Sequence, residues 1–429
     1  MYNELKGKKL LILAGGVNLI SLVERAKQLG VYTIVTDYYG IDDSPAKKYA
    51  DESWQVSWSD LDTLEKLCRE NQIDGITTGY SETPVGCCIE LCKRLGLPCY
   101  CTNEQLELTK DKILFKTQCR RNAVPVVNEY PSPEEVTHFP VIVKPTDRAG
   151  SIGVSVATDP ESLKTAYDYA MKMSYCKNVI IEDFIYNGSK FDVTYAVCSG
   201  NISLLSTCDT VNAKDNGFER VVQSGWLFPS KYNSEFLKKA DTPIRNMIKD
   251  LGIFDGYIFF SGFAIENGDD VDFVFFETGF RLSGGHMYNY MIRRGVVNLL
   301  DIFISHALTG NTRLVKFEKE EQNLLKYAVI NYYATSGTIT NISGDDKIRA
   351  LPDYTFSTHP AGIGKVCNTD HAILSKIHMF HFCNESPDAL AEDIEYANSV
   401  YSVTDENGND MVYDRIDPEI IKNWWNRSK

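Results

Sequence analysis

The segment Val274–Tyr288, VFFETGFRLSGGHMY, ends an apolar run in a carboxylate, Glu277, and follows it four residues later with Arg281 and then Ser283-Gly284-Gly285. A strand that only had to finish in a turn gains nothing from an acid and a guanidinium at its tip. The acid suits a divalent cation, the arginine a phosphoryl oxygen, and the glycines a backbone that approaches a ligand closely. A metal or phosphate site is therefore the chemistry to look for, and it needs partners elsewhere.

The stretch VIVKPTDRAGSIGVS supplies some. Lys144 ends a buried strand, where an unpaired ammonium is costly unless it meets an anion. The loop after it, with Gly150, Ser151 and Gly153, can offer backbone N–H groups to phosphate oxygens. A snorkelling lysine beside a hairpin loop would give the same string. In VIIEDFIYNGSKFDV a strand ends at Glu182-Asp183 and resumes at Lys190. Such a linker can present Glu182 to an exocyclic amine and Phe184 and Ile185 to a flat ring; a solvated strand end is the plainer alternative. Near the N-terminus, ILAGGVNLISL sets Gly15 and Gly16 between a strand and a helix, with Asp37 closing the next strand. That resembles a dinucleotide fingerprint without its third glycine, and a tight turn explains it equally well. His378 and His381 have no acidic or cysteine partner nearby and are expected in the core or at the surface. His286, beside Gly285, could contact substrate, with a structural role the first expectation, and ENGDDVD is expected to be a solvated hairpin tip, since the calcium-loop pattern is absent.

These residues need elements to carry them. From Lys9 to about Thr102 short apolar runs alternate with helical periodicity, the pattern of a doubly wound parallel sheet. A helix is expected over Asp111 to Arg121. Strands and helices then mix, with β-hairpins turning at Ser199-Gly200-Asn201 and Asn267-Gly268, so the middle is α+β. Short strands, a helix near Ser386 to Asn398 and a turn at Asn407-Gly408 follow. With 429 residues, 43% hydrophobic, the chain can hold several cores. A net charge of −14 without a long basic run argues against nucleic acid and anionic lipid as partners. No segment reaches the roughly 20 apolar residues that span a bilayer. The basic-then-apolar start, KGKKLLILAGG, has no cleavage site and is expected to be a first strand, not a leader. Twelve scattered cysteines lack zinc-ribbon spacing, and Cys87, Cys88 and Cys92 are expected as small buried helix residues in a reducing cytoplasm.

Lys112, Lys144 with DRAGSIGV, IIEDFIYNG and FFETGFRLSGG, in this order, resemble the ATP-grasp superfamily, most nearly its carboxylate–amine ligases and its carbamoyl-phosphate-synthetase and biotin-carboxylase-like branch. The resemblance covers most of the chain. It implies an N-terminal α/β domain over 1–105, an α+β ATP-grasp domain over 106–321 with 112–188 as its smaller, lid-like part, and a small C-terminal α+β segment over 322–429 packing on it. It implies ATP and Mg2+ as cofactors. Lys112 and Lys144 would contact phosphates, and the loop from Arg148 through Gly150, Ser151 and Gly153 would fold over them. Glu182, Phe184 and Ile185 would hold adenine, Glu277 the metal, and Arg281 the phosphoryl group in transfer. Lys144 and Arg281 would thus be the catalytic pair.

Three positions depart from that pattern. The family's Glu-x-Asn at the metal strand is Glu277-Thr278-Gly279 here. Its second metal acid, counted back along the preceding strand, falls near Gly262. Its ribose-binding glutamate is Lys190, so either Asp192 substitutes or Lys190 reaches a phosphate. The expected activity is ATP-dependent joining of a small carboxylate to an amine through an acyl phosphate, with release of ADP. A homodimer is left open. A non-catalytic nucleotide binder with a degenerate metal site is the alternative, and an oxidoreductase using Gly15, Gly16 and Asp37 ranks below it.

Overall fold

The computed structural model describes residues 2–148, 152–213, 222–317, 325–368 and 375–426. Gly150 and Ser151 lie outside these.

The first element is a parallel sheet in the order Glu52–Trp54, Tyr32–Thr36, Lys9–Leu13, Gly75–Thr77. Its central strand, KLLIL, is apolar on both faces because both are covered. Leu11 and Leu13 pack with Leu64, Cys68, Cys88 and Cys92 from the helices Leu61–Asn71 and Glu82–Leu95. Leu10 and Ile12 pack with Leu22, Val23 and Ala26 of the helix Ile20–Gln28, and with Phe303 and Ala307 from much later in the chain. The helix that carries those two, Leu300–Thr309, approaches so closely that a Cβ on Gly75 would lie 2.3 Å from the Ala307 carbonyl oxygen. The expected doubly wound unit is present, with an extra edge strand at Glu52–Trp54 and a helix borrowed from beyond residue 299.

A second, antiparallel sheet orders Glu129–Tyr130, Val179–Asp183, Val141–Pro145 and Ser155–Ala157, backed by the helix Pro160–Met173. Asp159 caps that helix in a reciprocal box with Ser162.

The third sheet has eight strands in the order Asp270–Gly279, Gly256–Asn267, Gly188–Cys198, Asn201–Asn212, Gln223–Phe228, Lys326–Tyr333, Lys376–Asn384, Tyr354–Thr358. Both expected hairpins form its first half. Residues after 325 add the last three strands to the same sheet, and the helix Pro387–Val400 covers them through Leu390, Ile394 and Ala397. No helix among the described residues is long and apolar enough to cross a membrane.

Candidate active site

Of the residues singled out by type and spacing, Lys112, Lys144, Glu182 and Glu277 meet where the small antiparallel sheet faces the eight-stranded one. Asp111 caps the helix Lys112–Arg121 by accepting from the backbone N–H groups of Ile113 and Leu114, which sets Lys112 at its first position. The Lys112 ammonium donates to the Arg148 carbonyl at 2.8 Å and so ties down the start of the loop beyond it. Burial pulls this lysine below the usual range, with the charge of Glu277 opposing and that of Lys144 adding to the shift. The three groups therefore share one field.

Lys144 is 8% exposed and reaches across the cleft to the Phe276 ring, 5.2 Å from its centroid. Its ammonium is ion-paired with Glu182, which also pairs with Lys116 on the helix below. Burial alone would raise the Glu182 carboxyl, but the charges of Lys144 and Lys116 outweigh it and hold the group ionised below the usual carboxylate range. Glu182 was expected at an adenine amine. Its carboxylate is engaged by two lysines and fixes the Lys144 ammonium, which keeps further N–H donors. Phe184 and Ile185, half-buried, follow directly in the connection from the small sheet to the large one. Arg148 turns outward, its guanidinium 4.2 Å from the Tyr175 ring centroid. Gly153 has φ of +78°, and a Cβ there would collide with Pro145 and Met173 at 2.7 Å, so packing accounts for this glycine.

On the large sheet, register brings the acids together. Ser261 lies opposite Glu277 on one side and Asp192 on the other, and residues in register point to the same face. The place of the second acid, expected near Gly262, is one residue earlier: Ser261 faces Glu277, because a bulge between Ser261 and Gly262 moves the pairing off Phe260, where an unbroken ladder from Asn267–Asp270 would put it. Glu277 is exposed to the cleft, whereas Asp192 is 6% exposed and accepts a hydrogen bond from the Ser261 hydroxyl. Burial raises the Asp192 carboxyl, opposed by the charge of Lys190 two residues away. Lys190 stands in register with Phe263, whose ring lies 5.2 Å from that of Phe276. At the position of the family's asparagine, a Cβ on Gly279 would lie 2.5 Å from the Phe259 ring, so that ring fills the space of an amide side chain. Thr278 donates to the Phe259 carbonyl at 2.6 Å and is structural.

Arg281 stacks on Phe259, 5.4 Å to the centroid, and its Nε donates to Glu82 of the N-terminal unit at 2.7 Å. Next to that link, a cavity of about 280 Å³ opens at the carboxyl ends of the parallel strands, lined by Ala14, Gly16, Asn18, Gly79, Tyr80 and Ser81. Crevices of this kind are where open α/β sheets take ligands. His286 closes it, hydrogen-bonded to Asn18 at 3.0 Å and Tyr288 at 2.9 Å, and burial pushes its pKa down to about 3, so it is neutral. Asp37 accepts from the Gly15 and Tyr39 N–H groups at 2.8 and 3.2 Å, and a Cβ on Gly15 would strike the Ser44 hydroxyl. Asp37 is buried and its carboxylate holds the turn, which accounts for the glycine–acid pattern without an oxidoreductase. His378 and His381 are buried on Tyr401 and Tyr327, in the core as expected. Among the described residues, the one group of three possible metal ligands in close reach is Cys88, Cys92 and Cys99, packed inside the N-terminal core.

Lys116, Ser261, Phe276 and Glu82 were not singled out as site residues. Glu82 opens the helix Glu82–Leu95 just past the parallel strand Gly75–Thr77, and that position at the carboxyl end of a parallel strand was its one legible signal.

Comparison with known proteins bears on the fold that carries these residues. Residues 112–223 match the family described as "D-ala D-ala ligase C-terminus". A formate-dependent phosphoribosylglycinamide formyltransferase of Prochlorococcus marinus strain MIT 9313 is 25% identical over 258 residues, 57% of this chain and 64% of that protein. The match thus spans just under two thirds of that relative's length. An L-amino acid ligase from Bacillus licheniformis superposes with a TM-score of 0.75 at 18% identity, covering 94% of this chain and all of that one. The biotin carboxylase domain of Hydrogenobacter thermophilus 2-oxoglutarate carboxylase, solved with MgADP and bicarbonate, gives 0.73 at 17% identity over 98% of this chain and 94% of that one.

Proposed function

We propose that this chain, which has the ATP-grasp fold, is an ATP-dependent ligase that activates a small carboxylate as an acyl phosphate and joins it to an amine. The observation that carries the reading is the convergence of Lys112, Lys144, Lys190 and Glu277 on one cleft between two sheets, with Arg281 leading from it to the cavity at Gly16 and Tyr80. The matched relatives, which are ligases, a formyltransferase and a carboxylase, support it by likeness of fold and sequence.

In this reading adenine enters at the Phe184-Ile185 connection, and the phosphates lie along Lys112 and Lys144 towards Glu277. A magnesium ion held by the phosphates and Glu277 would supply charge neutralisation at the transferring oxygens. Lys144, fixed by Glu182, keeps its ammonium on the phosphates. A substrate carboxylate oxygen attacks the γ-phosphorus, the bond to the β,γ-bridging oxygen breaks, and ADP leaves; Arg281 meets the charge of the group in transfer. The amine then attacks the acyl carbon and phosphate departs with the electron pair of the C–O bond. Phosphoryl transfer of this kind needs positioning and charge more than covalent help. The carboxylate and amine are assigned to the cavity beside Arg281, and the free cysteines to a reducing compartment.

ADP release measured across formate, bicarbonate, amino acids and small diacids, each with an amine panel, tests the reading. A pair that raises ADP release together with amide formation supports it. Nucleotide binding without ADP release across the panel would favour the non-catalytic reading, which the serine at 261 and glycine at 279 recommend.

A further inference from the structure

Two carboxylates share one face of the eight-stranded sheet with a serine between them. Glu277 stands on the edge strand, Ser261 on the next and Asp192 on the third, all in register. Among the described residues neither carboxylate belongs to an ion pair, although lysines that pair with other acids lie close by. For Glu277, exposed to the cleft, that is unremarkable; for Asp192 it is not. Asp192 is 6% exposed, and the hydroxyls beside it, those of Ser261 and Thr210, are neutral. A buried carboxylate without a counter-ion is expensive, and proteins retain one where a cation arrives. Lys190, two residues along the same strand, forms no ion pair with it.

We infer that Asp192 is the second protein carboxylate for the nucleotide-borne divalent cation, taking the part that an acid at position 261 would play and binding from one strand further in. Ser261 is then a positioning residue: its hydroxyl donates to one Asp192 oxygen and leaves the other for the ion. Glu277 and Asp192 flank the cation, and phosphate oxygens and water complete a hard, oxygen-only shell of the kind magnesium and manganese take. This displaces the alternative of Asp192 as a ribose acceptor. It rests on the reading that ATP binds in this cleft.

The test uses Mn2+ as the probe, its binding followed by electron paramagnetic resonance in the presence of a non-hydrolysable ATP analogue, alongside analogue binding in excess chelator. D192N should weaken Mn2+ binding about tenfold or more while leaving chelator-state nucleotide affinity within about twofold. D192N/S261E, which moves the acid to the strand beside Glu277, should recover most of the loss. S261D in the otherwise unchanged chain should tighten Mn2+, since a third acid then faces the same ion, and it serves should D192N fail to fold. Wild-type Mn2+ affinity in D192N, or no tightening in S261D, would overturn the assignment alone. Absence of analogue binding to the wild-type protein would overturn the ATP reading and this inference with it.

Discussion

Lys144, Glu182 and Lys116 form a buried chain of charges that couples stability to function. Removing one member of such a set leaves an uncompensated charge in the interior. Glu182→Gln strands two ammonium groups and should destabilise the protein by about 3 kcal/mol, read as a drop in the denaturation midpoint. Lys144→Ala leaves Glu182 paired with Lys116 and should keep a cooperative fold while weakening ATP binding, measured by calorimetry. Unchanged nucleotide affinity in a folded Lys144→Ala protein would remove the phosphate role. The sequence made Lys144 conspicuous because a lysine closing an apolar strand needs an anion. It gave Glu182 the wrong immediate partner because Lys116 lies on a different element, and nothing local in QCRRN or LFKTQ says which way that side chain points. Lys190 stays discriminating: if it reaches a phosphate, Lys190→Glu weakens nucleotide binding, whereas tighter binding would place it at the ribose.

Element geometry decides where the metal-side residues stand. The bulge at Ser261-Gly262 adds one residue on the partner strand, so Phe276 and Glu277 meet the cleft side by side. An unbroken ladder counted from the turn at Asn267–Asp270 would set Phe260 opposite Glu277; the bulge moves that place to Ser261, and only the fold reveals the slip. Gly262 itself is required, since a Cβ there would lie 2.3 Å from the Val274 carbonyl oxygen. Gly262→Ala should therefore lower the melting temperature and weaken Lys144–Phe276 docking, seen as reduced nucleotide affinity. The strand Lys376–Asn384 carries a separate, pH-dependent term. Burial pushes His378 down to about 4 and His381 well below the usual histidine range, and His286 beside it to about 3. Unfolded histidines take a proton near 6.5 and these do not, so their contribution is whole above about pH 6.5 and lost as pH falls below it. Stability should begin to decline on acidification below about pH 6.5, the slope approaching about 1.4 kcal/mol per unit for each histidine as the pH nears 5. His378→Gln should flatten that decline, and an unchanged slope would show that His378 titrates normally.

At the scale of the whole molecule, the parallel sheet and the ligand-bearing sheets were legible as separate rhythms of apolar residues, but their docking was not. The helix Leu300–Thr309 belongs to the later chain yet covers the first sheet, and at the site the two bodies are linked by the Arg281–Glu82 ion pair beside the His286–Asn18 hydrogen bond. Neither partner betrays the other in the sequence, because complementarity between distant loops leaves no periodic trace. That link makes a specific demand on the chemistry. With Glu82 holding Nε and Nη2, the guanidinium is oriented while Nη1 bonds the Leu282 carbonyl at 3.0 Å, so under the proposed function a phosphoryl oxygen would compete for a fork already set in place. Arg281→Ala should lower turnover on the order of a hundredfold, with ATP affinity little changed because the lysines supply it. Glu82→Gln, which keeps one acceptor and loses the charge, should lower turnover about tenfold through orientation alone. The double variant should be no worse than Arg281→Ala, since Glu82 acts through the guanidinium that is already gone. If the two losses multiply, Glu82 touches substrate in the adjoining cavity in its own right, and the link between the bodies would be a binding residue of the amine or carboxylate and not a brace for Arg281.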